Sequence, residues 1–244
     1  MGLDAQSLER LVPDELAAGD TTGGEALRIS LERYEFATRH ARPGRLLDLA
    51  CGVGYGTRLL ADRGAGRIEA LGIDRSAEAI AYARRRYADA RTRFAVGDAM
   101  EFGDPAGFDT IVSIETLEHV PEPAALVARL ARMLRPAGVL VASVPTTPSV
   151  DANPHHLHDF SERSFRRLFA PHALVERGAL AQDQPFGLGA ILSRREPRLR
   201  ELRRGLPAWY AAHPGALARR IAATLRHGFK NRYLTLALQR PGPA

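Results

Sequence analysis

The 244-residue chain has one cysteine, Cys51, one tryptophan, Trp209, and one lysine, Lys230. A single cysteine excludes an internal disulfide framework and fits a reducing compartment, so the expected location is the cytoplasm. No apolar run approaches the roughly 18 residues of a membrane-spanning helix. The first ten residues lack the basic start and apolar stretch of a secretory leader. Repeats and low-complexity tracts are missing too. With 45% hydrophobic and 25% charged residues, the composition is globular and argues against disorder. The length fits one α/β domain carrying an elaboration.

With almost no lysine, arginine carries the positive charge, a bias that fits a GC-rich genome. The net charge of +6 is unevenly spread. Residues 1–144 hold 18 bases and 21 acids, whereas 145–244 hold 16 bases and 7 acids. Residues 194–232 alone have 11 bases and 2 acids. The basic character therefore belongs to one late segment.

Pro13, Gly19, Gly23 and Gly24 mark a loosely ordered arm at the start. Leu27, Leu31, Tyr34 and Thr38 then recur at helical spacing and predict a helix over 25–40, ended by Pro43-Gly44. Short apolar strands follow at 45–50, 68–74, 93–97, 108–114 and 139–144, with helices at 57–62, 77–87 and 123–134 between them. Strands that are apolar throughout and alternate with helices imply a parallel sheet covered on both faces. A helix at 161–169, with Ser161 and Ser164 as candidate caps, and a strand at 173–180 come next. Residues 231–239 alternate at period two as a last strand. The organisation expected is an arm and helix (1–43), a core (44–185), a basic helical insertion (186–230), and a last strand with a tail (231–244).

The first strand runs through Asp48-Leu-Ala50-Cys51 into Gly52-Val-Gly54-Tyr-Gly56 and a helix. Glycines there let a ligand approach the backbone and the unpaired N–H groups of a helix start. The second strand ends in Gly-Ile-Asp74, where an acid can accept both hydroxyls of a ribose. The third ends in Gly97-Asp98-Ala99, where an acid can accept an exocyclic amine. Such strand ends are where open α/β sheets bind ligands. The position that would complete the dinucleotide pattern G-x-G-x-x-G is Thr57, which departs from a nicotinamide enzyme.

The stretch Asp48-Leu-Ala-Cys-Gly-Val-Gly-Tyr-Gly resembles the first motif of class I S-adenosylmethionine-dependent methyltransferases. Gly-Ile-Asp74, Gly-Asp98-Ala, residues 108–120 and Leu134-Arg-Pro-Ala-Gly-Val-Leu extend the resemblance in order. It implies a Rossmann-like seven-stranded α/β sheet, mostly parallel, with an antiparallel last strand and helices on both faces. It also implies site roles. The Gly52–Gly56 loop, with Gly54 in it and Ala50 just before it, passes under the methionine part of the cofactor, and Asp48 anchors that loop or the amino group through water. Asp74 holds the ribose hydroxyls, Arg75 covers the adenine face, and Asp98 and Ala99 meet the adenine edge. Arg33-Tyr34 looks like a pattern in bacterial relatives associated with glycan pathways. There, either residue reaches the cofactor carboxylate, or the pair simply packs the first helix.

Glu115, Glu118 and His119 follow the fourth strand at a spacing that would place them on one face of a helical turn. The pattern E-x-x-E-H with a distant histidine resembles ubiquinone-pathway O-methyltransferases and the small-RNA end-methylating enzymes, both of which bind a divalent ion. That resemblance puts His156 in the fourth ligand position, with His158 as the alternative. Mixed carboxylate and imidazole ligands suit Zn, Fe or Mn, and the RNA group extends the choice to Mg. Alternatively, His119 acts alone as a general base with Glu115 as a cofactor contact, or Glu118 merely caps the turn after it.

In the basic insertion Leu217, Ile221, Leu225 and Phe229 share one helical face, and Arg219, Arg220, Arg226 and Lys230 share another. Three readings stand open: a lid packing its apolar face on the domain, attraction of an anionic acceptor, or docking on an anionic membrane surface. Trp209 and Tyr210 line the acceptor pocket or pin the lid. Sequence-specific nucleic-acid reading is not expected, because no recognisable module is present. The function expected is S-adenosylmethionine-dependent methylation of a hydroxyl on a small molecule, a sugar or secondary metabolite. RNA ribose 2′-O-methylation and a non-catalytic adenosylmethionine-binding or membrane-docking protein are the alternatives.

Overall fold

Hydrogen bonding links seven strands into one sheet of order β3-β2-β1-β4-β5-β7-β6. The strands are β1 (Gly44–Leu49), β2 (Ile68–Asp74), β3 (Thr92–Val96), β4 (Phe108–Ile114), β5 (Leu134–Pro145), β6 (Val175–Pro185) and β7 (Lys230–Gln239). This computed structural model describes residues 11–16, 20–185 and 201–242. Much of the expected N-terminal arm, and residues 186–200 of the basic insertion, lie outside them. Strands β1 to β5 pair in parallel, and β7 runs antiparallel between β5 and β6. The Rossmann-like, mostly parallel sheet with an antiparallel last strand is thus the observed one.

Period-two alternation in β1 feeds both faces of the sheet. Leu46 packs with Tyr34, Phe36, Leu60 and Ala61, from α1 (Thr21–His40) and α2 (Tyr55–Arg63). Leu47 and Leu49 join Leu126, Val127 and Leu130 of α4 (Pro123–Met133), with Phe165 and Phe169 of α5 (Glu162–Phe169). Helix α3 (Ala77–Tyr87) brings Ile80 and Ala83 against Phe94 and Cys51. Helix α1 begins earlier than its apolar periodicity, because Asp20 accepts the Gly23 N–H at 2.7 Å. Ser161 and Ser164 form a reciprocal capping box at α5.

Strand β5 starts at Leu134, directly after α4, with no intervening turn. The Pro136-Ala-Gly138 stretch is absorbed as an irregularity, with Ala137 at φ +61° and a register shift against β4. Strand β6 is longer than its sequence pattern because it is the exposed outer strand, which carries little apolar alternation.

Strand β6 runs parallel to β5, so the connection leaving it starts at the carboxyl edge of the sheet. Its described part contains α6 (Leu206–Ala212) and α7 (Pro214–His227). The lid reading for α7 is corrected by its orientation. Leu217, Ile221, Leu225 and Phe229 are 38%, 50%, 83% and 54% exposed, while Arg220 turns inward. The loop beneath presents the buried carboxylate of Asp151, which demands a cation rather than a leucine. Among the described residues, no helix is long and apolar enough to cross a membrane.

Candidate active site

At the end of β1 the Asp48 side chain is fully buried. Thr57 Oγ1 donates to it at 2.6 Å, and the Tyr34 hydroxyl donates at 3.3 Å. Burial raises its pKa to about 7 against those two donors, and the Asp74 charge adds to the rise. The chain then turns through Ala50 at φ +61°, Gly52 at +55° and Gly54 at +88° before α2 begins. A side chain on Gly54 would meet Phe94 at 2.6 Å and Ala83 at 2.7 Å, so glycine is required there for space as well as for φ. Gly56 lies against the Tyr34 ring, where a Cβ would overlap the aromatic carbons.

Asp74, at the end of β2, accepts the Gly52 N–H at 2.9 Å and the Ser76 N–H at 2.8 Å. It thereby ties the glycine turn to the start of α3. Arg75 beside it is exposed. Asp98 follows β3, is exposed, and accepts the Met100 N–H at 2.7 Å, with Ala99 half-buried next to it. The structure therefore brings Asp48, Ala50, Gly52, Gly54, Asp74, Arg75, Asp98 and Ala99 to the carboxyl ends of three adjacent strands.

Arg33 and Tyr34 are neighbours with different destinations. Tyr34 goes under the loop to Asp48. Arg33 is buried, donates through Nε to Gln182 at 3.0 Å, and lies 4.2 Å over the Tyr233 ring. Its NH1 is 3.7 Å from Glu115 Oε1, and its NH2 has no hydrogen-bond partner among the described residues. Glu115 sits at φ +48°, and its carboxylate accepts the Ser143 hydroxyl at 2.8 Å. Ser143, Gln182, Tyr233 and Thr57 escaped the sequence reading. The first three come from β5, β6 and β7, and their signal was only a polar residue inside a strand.

The expected four-ligand set of Glu115, Glu118, His119 and His156 is corrected to three. Ligand atoms of Glu118, His119 and His156 lie within 4.8 Å of one another. Residues 115–120 form turns rather than a helix, and the left-handed backbone at Glu115 swings its carboxylate to Ser143 and Arg33. His158 also stands aside, with Nε2 at 3.0 Å from the Val120 carbonyl. His119 Nδ1 faces the His155 carbonyl at 3.2 Å. A carbonyl only accepts, so Nδ1 is the donor, and in the neutral ring the lone pair falls on Nε2. His156 Nδ1 meets the Ser149 hydroxyl at 2.7 Å, and the two imidazoles meet edge to face at 4.6 Å. Burial, then the neighbouring His119 and His155, lower the His156 pKa to about 3, so its ring is neutral at physiological pH. A buried carboxylate and two imidazoles with oriented Nδ1 atoms are a donor set that fits a divalent cation.

The glycine turn, the acids at the ends of β1 to β3, and β7 inserted antiparallel beside β5 define the Rossmann-like methyltransferase fold. Residues 47–142 match the family model described as a methyltransferase domain. A trans-aconitate 2-methyltransferase of Acidovorax sp. (strain JS42) is 32% identical over 148 residues, covering 60% of this chain and 55% of that protein. A ubiquinone biosynthesis O-methyltransferase of Methylococcus capsulatus is 34% identical over 117 residues, 46% of this chain and 48% of that one. The N-methyltransferase NodS from Bradyrhizobium japonicum, solved with S-adenosyl-L-homocysteine, shares the fold. It superimposes with a TM-score of 0.58 over 86% of this chain and 87% of that chain, at 17% identity. The chain spans about two fifths to three fifths of the length of the curated relatives it matches.

Proposed function

We propose that this chain transfers the methyl group of S-adenosylmethionine to a hydroxyl oxygen of a small-molecule acceptor. The observation that carries this reading is the line of acids Asp48, Asp74 and Asp98 around the glycine turn, at the ends of three adjacent strands. The cofactor supplies a carbon already activated by its sulfonium. The protein has two tasks: to hold the acceptor in line and to remove its proton.

Asp74 accepts the ribose hydroxyls while Asp98 and Ala99 meet the adenine edge and Arg75 covers its face. The unpartnered NH2 of buried Arg33 supports a role in holding the methionine carboxylate, with Glu115 orienting the guanidinium. Tyr34 acts through Asp48, which it holds beneath the loop. The Nε2 lone pair of His119 accepts the acceptor's hydroxyl proton. Alternatively, with the same His119 lone pair as a ligand, Glu118, His119 and His156 would hold a divalent cation, which would lower the pKa of an acceptor hydroxyl in place of the His119 base. A three-ligand site with open positions suits Zn, Fe or Mn.

Calorimetry with S-adenosylhomocysteine tests the central reading. Hydrogen bonds to a charged group contribute about 1.5–3 kcal/mol, so Asp74→Asn should weaken binding roughly 10- to 150-fold. No binding by the unsubstituted chain would remove the reading altogether. Elemental analysis and chelation test the cation. Stripped protein should lose activity and recover it on metal addition. Full activity with no metal detected leaves His119 as the base by itself.

A further inference from the structure

Helix α7 is placed in an unusual way. At 100° per residue, Leu217, Ile221 and Leu225 form one stripe about 12 Å long, with Ala218 and Ala222 beside it. Phe229 prolongs the stripe just past the helix end. A different face, about 120° round the helix, meets the protein, through Ala216 and the Arg220 guanidinium. Arg220 reaches Asp151 and the Pro148 carbonyl, and Tyr210 and Arg203 add bonds to the same loop. The stripe is therefore held facing outward. A contiguous row of large apolar side chains on a surface marks a place where something binds.

The charge around the stripe selects the partner. Arg204, Arg219 and Arg226 are exposed, and Arg219, 3.6 Å from Asp159, remains 60% exposed. Residues 201–232 hold seven bases and one acid, Glu201; Arg220, Lys230 and Arg232 pair with Asp151, Asp183 and Glu162, which leaves Arg203, Arg204, Arg219 and Arg226 as the excess. Two copies of this face would repel each other. The face is one convex helix, which can sink between headgroups.

We propose that α7 seats the protein on an anionic lipid bilayer. Leu217, Ile221, Leu225 and Phe229 enter the headgroup boundary, while Arg219 and Arg226, on another face of the helix, add long-range attraction to the anionic surface. The loop that α7 is fastened to also holds His156, so the bilayer would lie at the carboxyl edge of the sheet. This inference does not depend on methyl transfer and is tested without a cofactor.

The full chain is floated with vesicles of phosphatidylcholine alone, or of equimolar phosphatidylcholine and phosphatidylglycerol. It should float with the anionic vesicles and not with the neutral ones, and less as salt rises. The double substitution Ile221→Gln/Leu225→Gln changes side chains at least half exposed, so the fold should survive, which circular dichroism checks. It should lower vesicle affinity by about tenfold or more. Arg219→Gln/Arg226→Gln should weaken binding and flatten its salt dependence. Three results would overturn the proposal: no flotation with anionic vesicles at low salt, equal flotation with neutral ones, or unchanged flotation of the Ile221/Leu225 variant. Sedimentation provides a fourth: a dimer abolished by the same variant, without lipid binding, would make the stripe a self-interface.

Discussion

Replacing Arg220 with methionine should release the basic segment while the core stays folded. Asp151 is 2% exposed and accepts from Arg220 Nε at 2.7 Å, from Arg220 NH2, and from the Tyr210 hydroxyl at 2.5 Å. Burial pushes the Asp151 pKa up, but Arg220 outweighs it and holds the carboxyl below its ordinary value of 3.8. Removing one partner of a fully buried ion pair costs about 3–5 kcal/mol. Here Arg220 keeps 21% of its side-chain exposure and Tyr210 still donates, so water can reach the carboxylate and about 2–3 kcal/mol is expected. Among the described residues of α6 and α7 only Ala216 is buried, so the loss should appear as local opening. Hydrogen exchange across 206–227 should quicken roughly 30- to 150-fold, with little change in the urea midpoint. Adding Asp151→Asn should restore part of the protection, since neither charge is then left alone. Because the folded pKa is depressed, the contribution is full above 3.8 and disappears as pH falls through the folded value. Unchanged exchange in Arg220→Met would refute the latch, and so would a fall in the urea midpoint equal to the local loss.

Asp48, with its pKa raised to about 7, takes up a proton on folding, so stability should fall as pH rises between 3.8 and about 7. The full effect is on the order of 4 kcal/mol. Asp48→Asn should therefore raise the urea midpoint near about pH 8 and leave it little changed near about pH 4; equal effects at both would contradict the buried-carboxyl argument. Gly56→Ala places a methyl in the Tyr34 ring and should lower stability by about 1–3 kcal/mol in thermal melts. Tyr34→Ala should relieve part of that loss, and an unchanged melting point in Gly56→Ala would show that the ring is not fixed there. The proposed role of His119 Nε2 as acceptor of the substrate proton predicts that His119→Ala lowers turnover about 100-fold or more while S-adenosylhomocysteine affinity stays near that of the unsubstituted chain. Loss of affinity with unchanged turnover would reverse that assignment.

The cofactor end was legible because its chemistry is local. Asp48, Gly52 and Gly54 occupy one turn, and Asp74 and Asp98 end the next two strands, so strand order alone brings them together. The catalytic end was only half legible. Glu118, His119 and His156 converge across residues 118–156, but the left-handed backbone of Glu115 broke the helical spacing that would have added a fourth ligand. Ser143, Gln182 and Tyr233 were out of reach, since the order β5-β7-β6 decides that Gln182 and Tyr233 face Arg33, and the β4–β5 pairing that Ser143 meets Glu115.

The basic insertion marks the boundary most clearly. By itself the sequence determined that an arginine-rich amphipathic helix precedes the last strand, because periodicity and charge are properties of the chain. Which side of that helix faces the protein was decided by the tertiary structure. A buried carboxylate at Asp151 demands a cation, so Arg220 is drawn inward and the leucines are left outside.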